Sequence, residues 1–133
     1  MKKNLLLHAE LSHCLATLGH GDRLIIADAG LPIPPQVQRI DLAVSLGIPS
    51  LQAVLKAVLS EMQVERAIVA QEALVNDMLP DWYQIFIGHG LPKAVESVSH
   101  ENFKKLSQQA KAIVRTGEAT PYANIMLCSG VCF

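Results

Sequence analysis

Apolar residues along this chain fall into short unbroken runs and into stripes spaced three or four apart, a pattern that predicts strands interleaved with helices. Met1–Leu7 opens as a candidate strand, after which Leu11, Leu15 and Leu18 recur at helical spacing and Gly19 supplies a stop signal. Arg23–Ala27 carries the run Leu24-Ile25-Ile26-Ala27, as in a strand covered on both faces. The prolines of Leu31-Pro32-Ile33-Pro34-Pro35 bar regular pairing and predict a stiff extended loop. Ile40–Val44 is a second, short strand. Pro49-Ser50 opens a helix in which Leu51, Val54, Leu55, Val58, Leu59 and Met62 share a face, and Val64–Ala70 returns as a strand, completing a βαβ unit.

Glu72–Gly90 reads as a helix that Pro80 interrupts before Asp81–Ile87 begins another. Val95–Val98 is predicted as a strand and Ser99 as the cap of a helix that buries Phe103, Leu106 and Ala110. Lys111–Arg115 and Tyr122–Cys128 close the chain as two strands, joined by the turn-rich connector Thr116–Pro121. No internal repeat interrupts this order.

Composition narrows the fold class. The 133 residues amount to one domain, 1–133, and they are 50% hydrophobic but only 5% aromatic, so Leu, Ile, Val and Ala must build the core. That favours α/β packing over an aromatic-rich sandwich. With 11 basic and 12 acidic residues, a net charge of -1 and no basic cluster beyond Lys2-Lys3 and Lys104-Lys105, the chain offers no footprint for nucleic acid. The lysine-leucine start resembles a signal peptide, but His8, Glu10 and His13 interrupt it, and no run reaches the roughly 18 apolar residues of a membrane span. A cytoplasmic chain is expected. Cys14, Cys128 and Cys132 form no C-x-x-C pair and are expected as reduced thiols, mostly structural. In a continuous strand, Cys128 and Cys132 would lie roughly 13 Å apart, beyond bridging distance.

Candidate chemistry gathers in Leu18–Pro34, LGHGDRLIIADAGLPIP. His20 sits in a glycine turn, where backbone can approach a ligand closely, and Asp28 emerges at the end of the strand Arg23–Ala27. The two are expected to meet at one rim as an acid/base pair, an imidazole being accessible in both protonation states near neutral pH. The plainer alternatives are a turn histidine and an Asx turn closing on Ala29-Gly30. Gly19-His20-Gly21-Asp22-Arg23-Leu24 starts like a dinucleotide fingerprint but has Leu24 at the third glycine and precedes its strand, which excludes a phosphate cradle. The five histidines show no H-x-x-x-H or H-E-x-x-H spacing, so no metal site is expected. His89 reads as a loop residue. His100, one past Ser99, reads either as a surface group or as a ligand-binding one. Tyr122 and Asn124, two apart in a predicted strand, would share a face and suit sugar hydroxyls; ordinary turn chemistry is the alternative.

Taken in order, GHGD, DAGLPIP, EMQVE (Glu61–Glu65), Ser99-His100-Glu101-Asn102-Phe103-Lys104, RTGE (Arg115–Glu118) and PYAN (Pro121–Asn124) run almost from end to end, and the chain resembles the D-ribose pyranases of the ribose pyranase / fucose mutarotase superfamily. The resemblance implies a three-layer α/β/α fold around a mixed, mostly parallel sheet. It further implies a cofactor-free and metal-free isomerase that interconverts the β-pyranose and β-furanose forms of D-ribose. Carried onto this chain, His20 is the proton donor, while Asp28, His100 and the Tyr122, Ala123, Asn124 segment bind the sugar. A homo-oligomer is implied too, typically a decamer of two stacked pentamers with sites where subunits meet. The pattern departs at Ala73–Val95, where Ala73-Leu74 follows Glu72 in place of Ile-Lys. Two rival functions are an L-fucose-type mutarotase and a non-catalytic sugar-binding accessory of a transporter.

Overall fold

The computed structural model describes all 133 residues. Its helices are α1 (Ala9–Ala16), α2 (Leu51–Leu59), α3 (Asp81–Gln84) and α4 (His100–Ser107), and its strands are β1 (Arg23–Ala27), β2 (Gln38–Asp41), β3 (Val64–Ala70), β4 (Glu96–Val98), β5 (Ala112–Arg115) and β6 (Ile125–Ser129). The six strands form one sheet in the order β2-β5-β1-β6-β3-β4. Only β6 opposes its neighbours β1 and β3; the other three pairings are parallel. The expected mixed, mostly parallel α/β sheet is thus present.

Alternation along the central strands builds two apolar layers. Leu24 and Ile26 of β1, Val114 of β5, and Ile125 and Leu127 of β6 point into one cluster with α1, α2 and Tyr83 of α3. Ile25, Ile113 and Met126 point the other way, into a smaller cluster with Phe103 of α4 and with Leu31 and Val37 of the proline-rich loop. Helix α2 has the clearest sequence logic: the Ser50 side chain accepts from the Ala53 N–H at 3.2 Å, and Leu51, Val54, Leu55 and Val58 form the buried stripe.

Several predicted elements differ in the structure: Tyr122–Cys128 is strand only from Ile125, Ile40–Val44 is replaced by Gln38–Asp41, and three others differ more. Met1–Leu7 forms no strand: Leu6 is buried beside α1 and α2 while Leu5 and Leu7 face outward, and the segment joins neither edge of the sheet, β2 or β4. Residues 72–90 give only a 3-10 turn, Gln71–Ala73, and the short α3, because the segment folds around Tyr83. The Tyr83 hydroxyl donates to the Pro92 carbonyl at 2.8 Å, and burial pushes its pKa up to about 12. The predicted βαβ unit has its strands and helix, but β5, β1 and β6 lie between β2 and β3. Cys14 and Cys128 are buried free thiols, whereas Cys132 lies beyond the end of β6 and is exposed.

The connector from Thr116 to Pro121 is clasped to the start of α2. Gly117 donates its N–H to the Pro49 carbonyl at 2.8 Å, and a Cβ there would strike the backbone of Ser45 and Ile48, so glycine is required. Glu118 accepts from the Leu51 N–H at 3.3 Å, from the Ala119 and Thr120 N–H groups at 3.1 Å each, and from the Thr120 hydroxyl at 2.9 Å. Partial burial pushes this carboxyl up, but the hydrogen bonds from Thr120, Leu51 and Ala119 together outweigh it and hold the group below the usual carboxylate range.

Two outcomes follow for stability. Because the native pKa of Glu118 is lowered, its contribution is present above the unfolded carboxyl value of about 4.3 and is lost as pH falls through the native value. Glu118→Gln should therefore be less stable than wild type in urea at neutral pH, with the gap closing below about pH 4; a gap independent of pH would exclude this ionisation as its source. Leu55→Ala, at a fully buried position, should cost about 2–5 kcal/mol, while Lys56→Ala on the exposed face of α2 should stay within about 0.5 kcal/mol.

Candidate active site

Beyond the C-terminal ends of β1 and β5, at the point where the antiparallel β6 begins, a cleft of about 760 Å³ opens between the Asp28–Leu31 loop, the Thr116–Tyr122 connector and the start of α4. Its polar wall includes Asp28, His100, Arg115, Glu118 and Tyr122. This is where a parallel sheet presents ligand-binding groups, since the loops leaving the strands are free of the sheet's own pairing.

Asp28 is the first residue past β1 and Asn124 the last before β6, so the antiparallel pairing of Ile26 with Ile125 brings them together. The Asn124 amide acts in both directions. Its Oδ1 accepts from the Asp28 backbone N–H and its Nδ2 donates to Asp28 Oδ2, both at 2.9 Å, with Asn124 fully buried. Asp28 Oδ1 in turn accepts from the Gly30 N–H at 2.9 Å, closing the Asx turn. The Asx-turn reading of Asp28 therefore holds, and the same carboxylate stands fixed on the wall of the cleft with lone pairs to spare.

Tyr122 and Asn124 do not lie in a strand. Tyr122 adopts φ of 62°, the left-handed region, and the Asn124 N–H turns back to donate to the Tyr122 carbonyl at 2.8 Å. The expected common face is thus replaced by a division: the Tyr122 ring faces the cleft, the Ala123 side chain enters the core, and Asn124 supports Asp28 from behind. The Tyr122 ring meets His100 edge to face, centroids 5.1 Å apart at 76°. His100 is the first residue of α4; its backbone N–H donates to Glu72 at 2.8 Å, and its Nδ1 is buried without a partner. The His100 ring, beside Tyr122, lines the cleft.

His20 is not in this cleft. It occupies the turn before β1, at the opposite end of that strand, and the five residues of β1 put ~17 Å of strand between that turn and Asp28. The expected meeting of His20 and Asp28 at one rim does not occur within a single chain, because the apolar run between them is extended rather than folded back. His20 Nε2 instead lies 2.6 Å from Glu65 Oε2, at the start of β3. Glu65, Arg115 and Glu118 lie within the motifs EMQVE and RTGE, whose spacing gives them no role. Arg115 donates through Nε to the Ala29 carbonyl at 3.0 Å and through Nη1 to both oxygens of Asp41, so it braces the residue that follows Asp28. No three His, Cys, Asp or Glu side chains converge as a metal site would require.

Residues 1–132 match the model of the RbsD / FucU transport protein family. The chain is 57% identical to the D-ribose pyranase of Paracidovorax citrulli and 50% identical to that of Haemophilus influenzae, covering 100% of both sequences in each case. Among solved structures, Bacillus subtilis RbsD complexed with D-ribose superposes with a TM-score of 0.88 at 42% identity, covering 100% of both chains. The fucose mutarotase of Streptococcus pneumoniae in complex with L-fucose gives 0.83 at 27%, again over 100% of both. A likeness of this extent and degree settles the classification: the chain belongs to the RbsD / FucU transport protein family.

Proposed function

We propose that this chain is a D-ribose pyranase, an isomerase that interconverts the β-pyranose and β-furanose forms of D-ribose by opening and reclosing the ring. The observation that carries this reading is the convergence of Asp28, His100 and Tyr122 on one cleft in a chain that matches named D-ribose pyranases from end to end. The lower identity to the fucose mutarotase, 27% against 42% for the ribose-bound relative, favours ribose over fucose.

Hemiacetal chemistry sets what the site has to do. Opening the pyranose needs a proton on the ring oxygen as the bond from that oxygen to C1 breaks, while the anomeric hydroxyl gives up its proton and becomes the aldehyde oxygen. Reclosure through the neighbouring hydroxyl reverses both transfers and leaves a five-membered ring. Protons gained and lost cancel, so neither hydride, phosphate nor metal is consumed. His20 carries the ring-oxygen proton, since an imidazole can give and retake it near neutral pH. Asp28, fixed by Asn124, accepts sugar hydroxyl protons in hydrogen bonds, the His100 ring takes another hydroxyl, and Tyr122 forms a wall. The Ala123 contribution is limited to its backbone.

Because His20 and the cleft lie at opposite ends of β1, the reading requires that a second copy bring its His20 turn to the cleft. Exposed apolar side chains support such an assembly: Leu46, on the rim of the cleft, is 78% exposed and Val44 81%. We assign the protein to a cytoplasmic homo-oligomer, a decamer of two stacked pentamers.

Saturation-transfer NMR on D-ribose tests the assignment directly. Wild type should accelerate exchange between pyranose and furanose, His20→Ala should lose about 10²-fold or more of that rate while still binding ribose, and L-fucose should respond less. Full activity in His20→Ala would remove it from the proton transfer. In calorimetric titration with ribose, His100→Ala and Asn124→Ala should each weaken binding by about 5- to 30-fold, the loss of a hydrogen bond worth 1–2 kcal/mol; unaltered affinity would take that residue out of the site.

A further inference from the structure

We propose that Glu65 is the positioning residue of His20, holding the imidazole by Nε2 so that Nδ1 is the nitrogen that gives and takes the proton. The inference rests on the reaction proposed above and adds to it a residue and a direction for the ring. His20 Nε2 and Glu65 Oε2 are 2.6 Å apart, and a carboxylate this close to a ring nitrogen needs that nitrogen's proton between them. Nε2 is then the donor whether the ring is neutral or cationic, and the second nitrogen alone changes its proton. The same logic governs a buried aspartate behind a proton-transferring histidine.

Both partners are held by the same strand end. The Gly21 N–H, one residue past His20, donates to the Ser129 carbonyl at 2.8 Å, and the Ser129 N–H donates to the Asp22 carbonyl at 2.8 Å. On the other side of β6, Val64 pairs with Ser129 and Arg66 with Cys128, so Glu65 is the extra residue of a β-bulge. A bulge re-aims the side chain it carries, and here the re-aimed side chain is the one that reaches His20 across 45 positions of sequence. A strand without that extra residue would not leave Glu65 unpaired in the ladder.

The remaining charges nearby are engaged elsewhere. Asp22 accepts from the Gly19 N–H at 2.9 Å and lies 3.8 Å from Lys111, and Arg66 pairs with Glu96 at 2.7 Å. Glu65 makes no ion pair except with His20. With side chains 61% and 50% exposed, the pair adds little to stability, so its geometry is better explained by the ring it orients than by the fold.

The test combines ¹⁵N NMR of the His20 ring with exchange rates in Glu65→Ala and Glu65→Gln of the full chain. Wild type should show protonated Nε2 and bare Nδ1 in the neutral ring, with the Nε2 nitrogen and proton signals displaced downfield by the short hydrogen bond to Glu65. Glu65→Ala should lose that displacement and slow ribose ring exchange about 10- to 100-fold, with ribose affinity in calorimetric titration unchanged. Glu65→Gln keeps an acceptor for the Nε2 proton and should recover the nitrogen pattern and part of the rate. A wild-type nitrogen pattern in Glu65→Ala would overturn the proposal, as would a fall in affinity equal to the fall in rate, which would place Glu65 on the sugar itself. Absence of ring exchange in wild type would instead overturn the reaction, and the nitrogen pattern would still decide the pairing.

Discussion

The stretch from Leu24 to Ala27 crosses the sheet with no side chain exposed to water, flanked by β5 on one edge and β6 on the other and covered on both faces. Nothing polar could stand there without losing its hydration unrepaid. The chemistry of this segment is therefore confined to its ends, and the extended backbone fixes how far apart those ends lie. His20 and Asp28 are neighbours in sequence motif and opposites in space. Every other feature of the site follows from that separation: a cleft built by Asp28 and the β6 turn at one end, and a histidine braced by β3 at the other.

At the cleft end the decisive device is the reversal of β6. A parallel strand beside β1 would end where β1 ends and could offer only another outgoing loop. An antiparallel one begins there, so the residue before β6 faces the residue after β1, and Asn124 meets Asp28 through two hydrogen bonds. Each contributes on the order of 1 kcal/mol, more where the carboxylate is charged, and leaving the buried amide unpaired would cost as much or more. The left-handed Tyr122 is the local consequence, since the chain must turn sharply enough to send one side chain into the cleft and the next two inward. The wall of the cleft and the closure of the sheet share these residues.

How much of this the sequence discloses depends on how local each determinant is. Arg23–Ala27 and Val64–Ala70 are legible to the residue because an unbroken apolar run has one good solution when both faces are covered, and the Ser50 and Ser99 caps are legible because capping is a matter of three residues. The cleft-lining group Asp28, His100 and Tyr122 is legible through family resemblance, spacing alone leaving each of them ambiguous. What stays hidden is relational. Periodicity cannot say that β6 runs antiparallel, so it puts Tyr122 and Asn124 on one face. It cannot show that Glu65 is the unpaired member of a bulge, since the count of residues opposite it belongs to another strand. Nor can it place Tyr83 as the anchor of residues 72–90, where the proline and glycine punctuation admits several arrangements.

The exposure of the His20–Glu65 pair has its own physical meaning. Between two side chains this open to water, the attraction is screened and offset by the entropy of holding both, so a lone chain gains little from making the contact. Covering the same pair with the rim of a second copy removes water, and the Coulomb attraction rises several-fold as the effective dielectric constant falls from about 80 toward about 20. The bulge and the Ser129 latch fix the geometry beforehand, so the proposed assembly would need to supply only the change of medium. In the proposed assembly the histidine would be oriented by its own chain and made effective by a neighbour, and proton transfer would be a property of that assembly rather than of the fold.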